Sequence, residues 1–310
     1  MGECRAPHGI RKWWVSRVSR RGWVLFLALG VIWGVPYAMI RIAVESIDPV
    51  VVAFGRTAIG GLLLLPIALY TNAFRGVLAR WRMLLAYTAV EIIGPWVLLG
   101  YAEQTLHSST VGILLAAVPL IAVVLVTTLG HDRFDGRRTL GLAVGFAGVA
   151  ALVGLDIDLT APAALGAVAV VTIGYAIGPI IYDRTLADLP ALGVVTASLL
   201  LAALVYTPFT AASWPERIPA DAAWSVLGLA VICTAAAFLV FFALIAEVGP
   251  ARATVVTYIN PAVAIVLGIA ALGEPLTIGM AIGFPLVIIG SIIGTRSATA
   301  PVRDAVPVRT

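Results

Sequence analysis

The sequence predicts an all-α membrane protein: ten transmembrane helices arranged as two inverted five-helix repeats. Composition, the spacing of apolar runs and the placement of basic residues lead there. The 310-residue chain is 61% hydrophobic and 12% charged, with a mean hydropathy of +1.04. Soluble domains carry roughly 25% charged residues, so this chain has too little polar surface to cover a soluble fold of its size. Its apolar residues gather into recurring runs of about twenty. Each is long enough to cross a hydrocarbon core of roughly 30 Å at 1.5 Å per residue.

Ten spans follow, at 23–42, 50–70, 83–101, 110–129, 140–155, 163–181, 192–209, 222–245, 253–272 and 276–295. The organisation expected is a basic N-terminal tail over 1–22, a first five-helix repeat over 23–155, a second over 163–295 and a C-terminal tail over 296–310. The N-terminal tail and the apolar run after it imitate a signal peptide. No small-x-small cleavage site ends that run, and Tyr37, Met39 and Arg41 follow instead, so an uncleaved first helix is predicted.

Basic residues concentrate on one side. With the N-terminus inside, the tail contributes Arg5, Arg11, Lys12, Arg17, Arg20 and Arg21 to the cytoplasmic side. Loops add Arg75, Arg80, Arg82, Arg133, Arg137, Arg138, Arg184 and Arg252, and the C-terminal tail adds Arg296, Arg303 and Arg309. That is 17 of the 20 basic residues; Arg41 and Arg217 fall outside, and Arg56 lies within a span. The bias predicts a multi-pass protein of a bacterial-type inner membrane with both termini cytoplasmic. The net charge of +4 thus belongs to helix ends and tails, which argues against a nucleic-acid partner. Cys4 and Cys233 lie in a tail and a span, so no disulfide framework is expected.

The halves match at an offset of 142 residues. Pro66 falls on Pro208, Pro119 on Pro261, Gly141 and Gly148 on Gly283 and Gly290, and Asp132 on Glu274. Ala122, Val124 and Leu125 fall on Ala264, Val266 and Leu267. Five spans per half is an odd number, so the copies must run in opposite orientations. Inverted repeats recur in secondary transporters, with substrate bound near the midplane between the halves.

These residues resemble the EamA family of the drug/metabolite transporter superfamily over roughly residues 23–295. The resemblance rests on Trp33-Gly34, on Asp48-Pro49 with Arg56 seven residues later, and on Pro119 and Pro261, each followed by a loop acid and a Gly-rich helix. The Gly273-Glu274-Pro275 turn fits the family, whereas His131-Asp132-Arg133 departs from it in the first half. The resemblance implies ten helices in two inverted halves and transport of small metabolites such as amino acids, often outward, by alternating access. It implies no particular substrate.

Charge inside a membrane costs on the order of 3 kcal/mol at mid-helix and needs a reason. By helix rise, Arg56 lies about 9 Å and Glu91 about 18 Å below the outer face. One reading makes Arg56 an anchor for a carboxylate or phosphate and Glu91 a protonatable group coupling transport to protons. The other joins them as a structural ion pair, or lets Arg56 snorkel to the interface. Trp33, Tyr37, Trp96, Tyr175, Thr257, Tyr258 and Asn260 form a second group at membrane depth. They suit a small-molecule pocket, though aromatic residues also serve as interfacial anchors. Beside Pro261, Asn260 stands next to a backbone carbonyl that the proline frees. Four-residue glycine spacings at Gly141/Gly145, Gly174/Gly178, Gly279/Gly283 and Gly290/Gly294 predict close helix packing. Asp132 and Glu274 read as solvent-exposed loop acids that cap or tether helix ends.

HExxH, GxSxG and Walker-type motifs and Cys/His clusters are missing, so neither a cofactor, a metal site nor enzymatic chemistry is expected. The partners expected are a small-molecule substrate, the lipid bilayer and, through Glu91, protons; oligomeric state stays open. Two rival readings are a membrane-embedded enzyme acting on lipid-linked substrates and a non-transporting membrane scaffold. Sparse outer loops argue against the first, and the two membrane charges against the second.

Overall fold

A backbone that crosses lipid must satisfy its hydrogen bonds internally, and a helix does so within one segment. The computed structural model describes residues 19–128, 136–156, 161–249 and 253–295, and these form ten helices long and apolar enough to span. They are α1 (Arg20–Val44), α2 (Pro49–Tyr70), α3 (Leu78–Glu103), α4 (Ser108–Thr128) and α5 (Gly136–Leu155). The second half contains α6 (Pro162–Thr185), α7 (Ala191–Ala212), α8 (Ala220–Val248), α9 (Val255–Leu272) and α10 (Ile278–Thr295). We call the end of the bundle where α1 begins and α10 finishes the proximal face, and the opposite end the distal face.

Local chemistry sets the helix ends. The Ser19 hydroxyl accepts from the Gly22 N–H at the start of α1, and Asp48 caps α2 by accepting from Val50 N at 2.8 Å, with Pro49 preorganised behind it. Gly273 ends α9 in the left-handed conformation at φ 67°, which a Cβ would penalise. Pro36 interrupts α1 at Val35. The predicted third span stops at Tyr101, whereas the helix continues to Glu103.

The pairing of helices displays the inverted repeat. α5 packs along α10, α2 along α7, and the distal part of α4 along α9, each helix meeting its own counterpart in the other half. α3 packs on α6 just as α8 packs on α1. Exchanging the halves maps the first three pairings onto themselves and exchanges the last two. Two π turns, Ala89–Ile93 in α3 and Val231–Ala236 in α8, also begin 142 residues apart. The predicted glycine contacts lie mainly between α5 and α10. A Cβ on Gly290 would strike the backbone of Gly145, and one on Gly141 would strike that of Gly294.

One pairing breaks the symmetry. At the distal end, Ser108–Leu115 packs on Asn260–Leu272, with Gly112 against Ala264 and Gly268 against Ser109. The counterpart pair at the proximal end, Val118–Thr128 and Thr254–Tyr258, makes no comparable packing among the described residues. Residues 121–126 of that proximal half of α4 are all only half-buried. At the proximal face the halves are tied elsewhere, by the two-pronged Arg80–Asp188 ion pair with bonds of 2.5 and 2.7 Å. The hydrogen bonds from Arg80 hold the exposed Asp188 carboxyl below its ordinary range.

Gly290→Ala should cost about 1–3 kcal/mol, because its new methyl group meets backbone that cannot rotate away. Around Gly166 a methyl group would meet no atom within 4 Å, so that position should accept alanine without loss. Thermal unfolding of the two purified variants in detergent checks the contrast.

Candidate functional site

Arg56 is the eighth residue of α2, about 10 Å from the distal end by helix rise, and only 8% exposed. Its Nε donates to Thr234 Oγ1 at 2.9 Å, and its guanidinium carbon lies 3.7 Å from the centre of the Trp96 ring. Thr234 spends its own proton on the Leu229 carbonyl at 2.8 Å, within the π turn of α8, so its oxygen faces Arg56 as an acceptor. The ring face supplies negative electrostatic potential without a counter-charge. The ion pairs of the described residues are Arg41–Glu45 and Arg80–Asp188; among those residues no carboxylate pairs with Arg56. Tyr37, Tyr175, Tyr206 and Cys233 stand within electrostatic reach of the guanidinium. The group therefore joins α1, α2 and α3 of one half to α6, α7 and α8 of the other.

Arg56 and Glu91 do not form the ion pair that their depths allow. Glu91 lies at the centre of the π turn Ala89–Ile93, which directs its side chain to α6. A Cβ on Gly178 would collide with its carboxylate, and one on Gly174 with the Val90 carbonyl. One oxygen of Glu91 is buried without a hydrogen-bond partner. Tyr175 links the two charges: it lies within electrostatic reach of both, and its hydroxyl faces the Trp96 indole N–H. A π turn leaves carbonyls out of register, and Tyr206 of α7 meets them by donating to Ile93 O at 2.8 Å and Ile92 O at 3.2 Å.

The other candidates are dispersed. Tyr37 packs beside Gly112 of α4 and faces Arg56. Trp33 lies in an aromatic cluster, its ring centre 4.9 Å from that of Phe241 and 6.4 Å from that of Phe238, and connects to the Trp96 cluster through Phe238 and Phe242. Asn260 ties α9 to α1: with its amide nitrogen turned to the acceptors, it donates to Gly30 O at 3.2 Å and Val256 O at 3.3 Å. Tyr258 and the exposed Thr257 belong to the proximal 3-10 turn of α9, where the Tyr258 hydroxyl meets that of Thr295, the last described residue of α10. The structure does not bring these two to Arg56.

Glu274 corrects an expectation. It is 7% exposed rather than solvated, and it caps a helix of the other half. Its carboxylate accepts from Ser108 N at 2.7 Å, Ser109 N at 3.0 Å and Ser109 Oγ at 2.5 Å, at the N-terminus of α4. Burial pushes this carboxyl up, but the donors of Ser109 and Ser108 outweigh it and hold the group below the usual glutamate range. Its sequence counterpart Asp132 lies outside the described residues. Sequence reading missed Glu103, which is 0% exposed with neither carboxylate oxygen hydrogen-bonded, and also Thr234 and Tyr206. The 142-residue offset held one signal for this region, because it places Cys233, beside Thr234, on Glu91 and Tyr175 on Trp33.

A membrane bundle of inverted halves, with a guanidinium that no described carboxylate pairs and aromatic side chains where they meet, has the architecture of a membrane transporter. The chain belongs to the EamA-like transporter family, whose model matches residues 20–154 and again 162–295. It is 30% identical over 264 residues to the "uncharacterized inner membrane transporter YedA" of Escherichia coli strain K12, covering 81% of this chain and 82% of that protein. It is 27% identical over 290 residues to the "uncharacterized transporter YvbV" of Bacillus subtilis strain 168, covering 88% and 92%. A crystal structure of a protein with 20% sequence identity superposes with a TM-score of 0.65, covering 90% of this chain and 98% of the other, and shares the fold.

Glu274→Gln should lower stability by about 1–3 kcal/mol, since an amide cannot offer two acceptor oxygens to three donors. A carboxyl held below its ordinary range contributes fully above about pH 4.3 and loses that contribution as the pH falls. The gap between wild type and Glu274→Gln in thermal unfolding should therefore narrow in acid.

Proposed function

We propose that this protein is a secondary carrier of the inner membrane that moves small metabolites bearing a carboxylate or phosphate, such as amino acids, outward by alternating access. The observation that carries this reading is Arg56, a buried guanidinium without a counter-ion among the described residues, at the junction of two inverted halves. A cation held in a low-dielectric interior gains most from an anion that completes its hydrogen bonds. Thr234 takes Nε and Trp96 takes one face, which leaves the terminal nitrogens for a ligand. Tyr37 and Tyr175 would flank the bound molecule.

The broken symmetry of α4 and α9 supports the transport cycle. Two copies of one repeat in different conformations close one face and open the other; exchanging their conformations exposes the site to the opposite side. Here the distal ends pack and the proximal ends diverge. The 17 basic residues assigned to the proximal side argue that it is the cytoplasmic one, so this conformation would admit substrate from the cytoplasm. Glu91, joined to the site through Tyr175, would couple the cycle to protons.

Reconstituted into proteoliposomes and screened against amino acids and phosphorylated metabolites, the wild type should transport at least one anionic class. Arg56→Ala should abolish that uptake, Arg56→Lys should retain a fraction, and Glu91→Gln should remove its dependence on a pH gradient. Wild-type rates in both Arg56→Ala and Glu91→Gln would exclude this site.

A further inference from the structure

At the distal closure, a carboxyl group without a partner stands beside one that has three. Glu103 ends α3 five residues before the helix that Glu274 caps. Its side chain is 0% exposed and neither oxygen meets a donor. Arg41, the cation best placed to neutralise it, is committed elsewhere: one terminal nitrogen donates to the Glu103 backbone carbonyl, and its Nε pairs with Glu45 at 3.4 Å. Burying a carboxylate anion with no hydrogen bonds is far costlier than burying the neutral acid, so this packing accommodates a protonated Glu103.

Among the described residues the charged surroundings are few. α1 presents Tyr37, Arg41 and Glu45 to this region, α2 presents Asp48 at its start and Arg56 deeper in, and the turn before α10 presents Glu274. On its own connection Glu103 is followed by the exposed His107. Residues 162–174 of α6 and 108–128 of α4, which pack against the end of α3, contain no titratable side chain. The strongest negative neighbour is Glu274, which its donors keep ionised.

We propose that Glu103 is a proton-binding site that locks the distal closure: protonated, it lets Glu274 stay seated on α4, and ionised, it drives Glu274 off and frees α4 from α9. Ionisation would place two carboxylates within electrostatic reach of each other in a buried volume, with the nearer arginine, Arg41, already committed to Glu45 and a backbone carbonyl. The lower-energy outcome is for Glu274 to leave Ser108 and Ser109 for water, and with it go the three bonds by which its carboxylate holds the α9–α10 turn to α4. Closure is thus favoured at low pH and lost as the pH rises through the titration of Glu103. The inference deepens the carrier reading by assigning a ligand, the proton, to one gate.

The test needs no substrate, so its outcome is separable from that of the transport assay. Spin labels at Thr105→Cys and Leu276→Cys, both on exposed distal turns, report the gap between the halves in nanodiscs, in a background with Cys4 and Cys233 replaced by serine. The short-distance population should dominate at about pH 5 and fall at least about twofold by about pH 9. Glu103→Gln, neutral and of the same shape, should hold the short distance throughout, and Glu274→Gln should show the long one even at low pH. Distances independent of pH in the wild type, or a wild-type pH response in Glu103→Gln, would overturn the proposal.

Discussion

Three hydrogen bonds from the start of α4 to Glu274 join the two halves of this protein at the distal face. A helix N-terminus carries unsatisfied N–H groups and a partial positive charge, and both favour an anion there. Here the anion comes from the opposite half of the chain. A local capping residue would satisfy the same amides without linking anything. Using a residue 165 positions away turns the end of a helix into a latch.

Beneath that latch, packing and chemistry divide between different helix pairs. α5 and α10 meet backbone to backbone through glycines, a contact that leaves no room for a side chain and admits little rearrangement. α4 packs on α9 through its distal half, and each is interrupted, α4 near its middle around Ala116–Ala117 and α9 near its proximal start at Tyr258–Ile259. A close-packed pair thus lies beside an interrupted one.

The π turns connect this scaffold to the site. Each inserts one extra residue into a turn of α3 or α8, which rotates the side chains beyond it and releases carbonyls that Tyr206 and Thr234 then satisfy. In α3 the rotation sends Glu91 to α6 and sets Trp96 against Arg56. Two charges that straight helices would have left free to pair are thereby kept apart. Thr234 likewise reaches Arg56 because its hydroxyl proton is spent inside its own turn. The irregular backbone thus leaves Arg56 without a carboxylate partner among the described residues.

The lipid-spanning class, the number of spans, the inverted duplication and the presence of Arg56 and Glu91 at depth are all legible in the chain before it folds. Those properties follow from composition, run length, parity and the cost of charge in hydrocarbon, all of which are one-dimensional. Which charges meet is a different matter, settled in three dimensions. Pairing depends on rotation about each helix axis, and a single extra residue in a π turn changes that rotation without leaving a mark in the hydropathy. Glu274 and Glu103 show the same limit: the first reads as a loop acid because a loop next to an apolar span looks solvated, the second draws no notice just past a span, yet both are buried in the fold. Depth along its own helix can be counted residue by residue; what lies across from a side chain is set by contacts between segments more than a hundred positions apart.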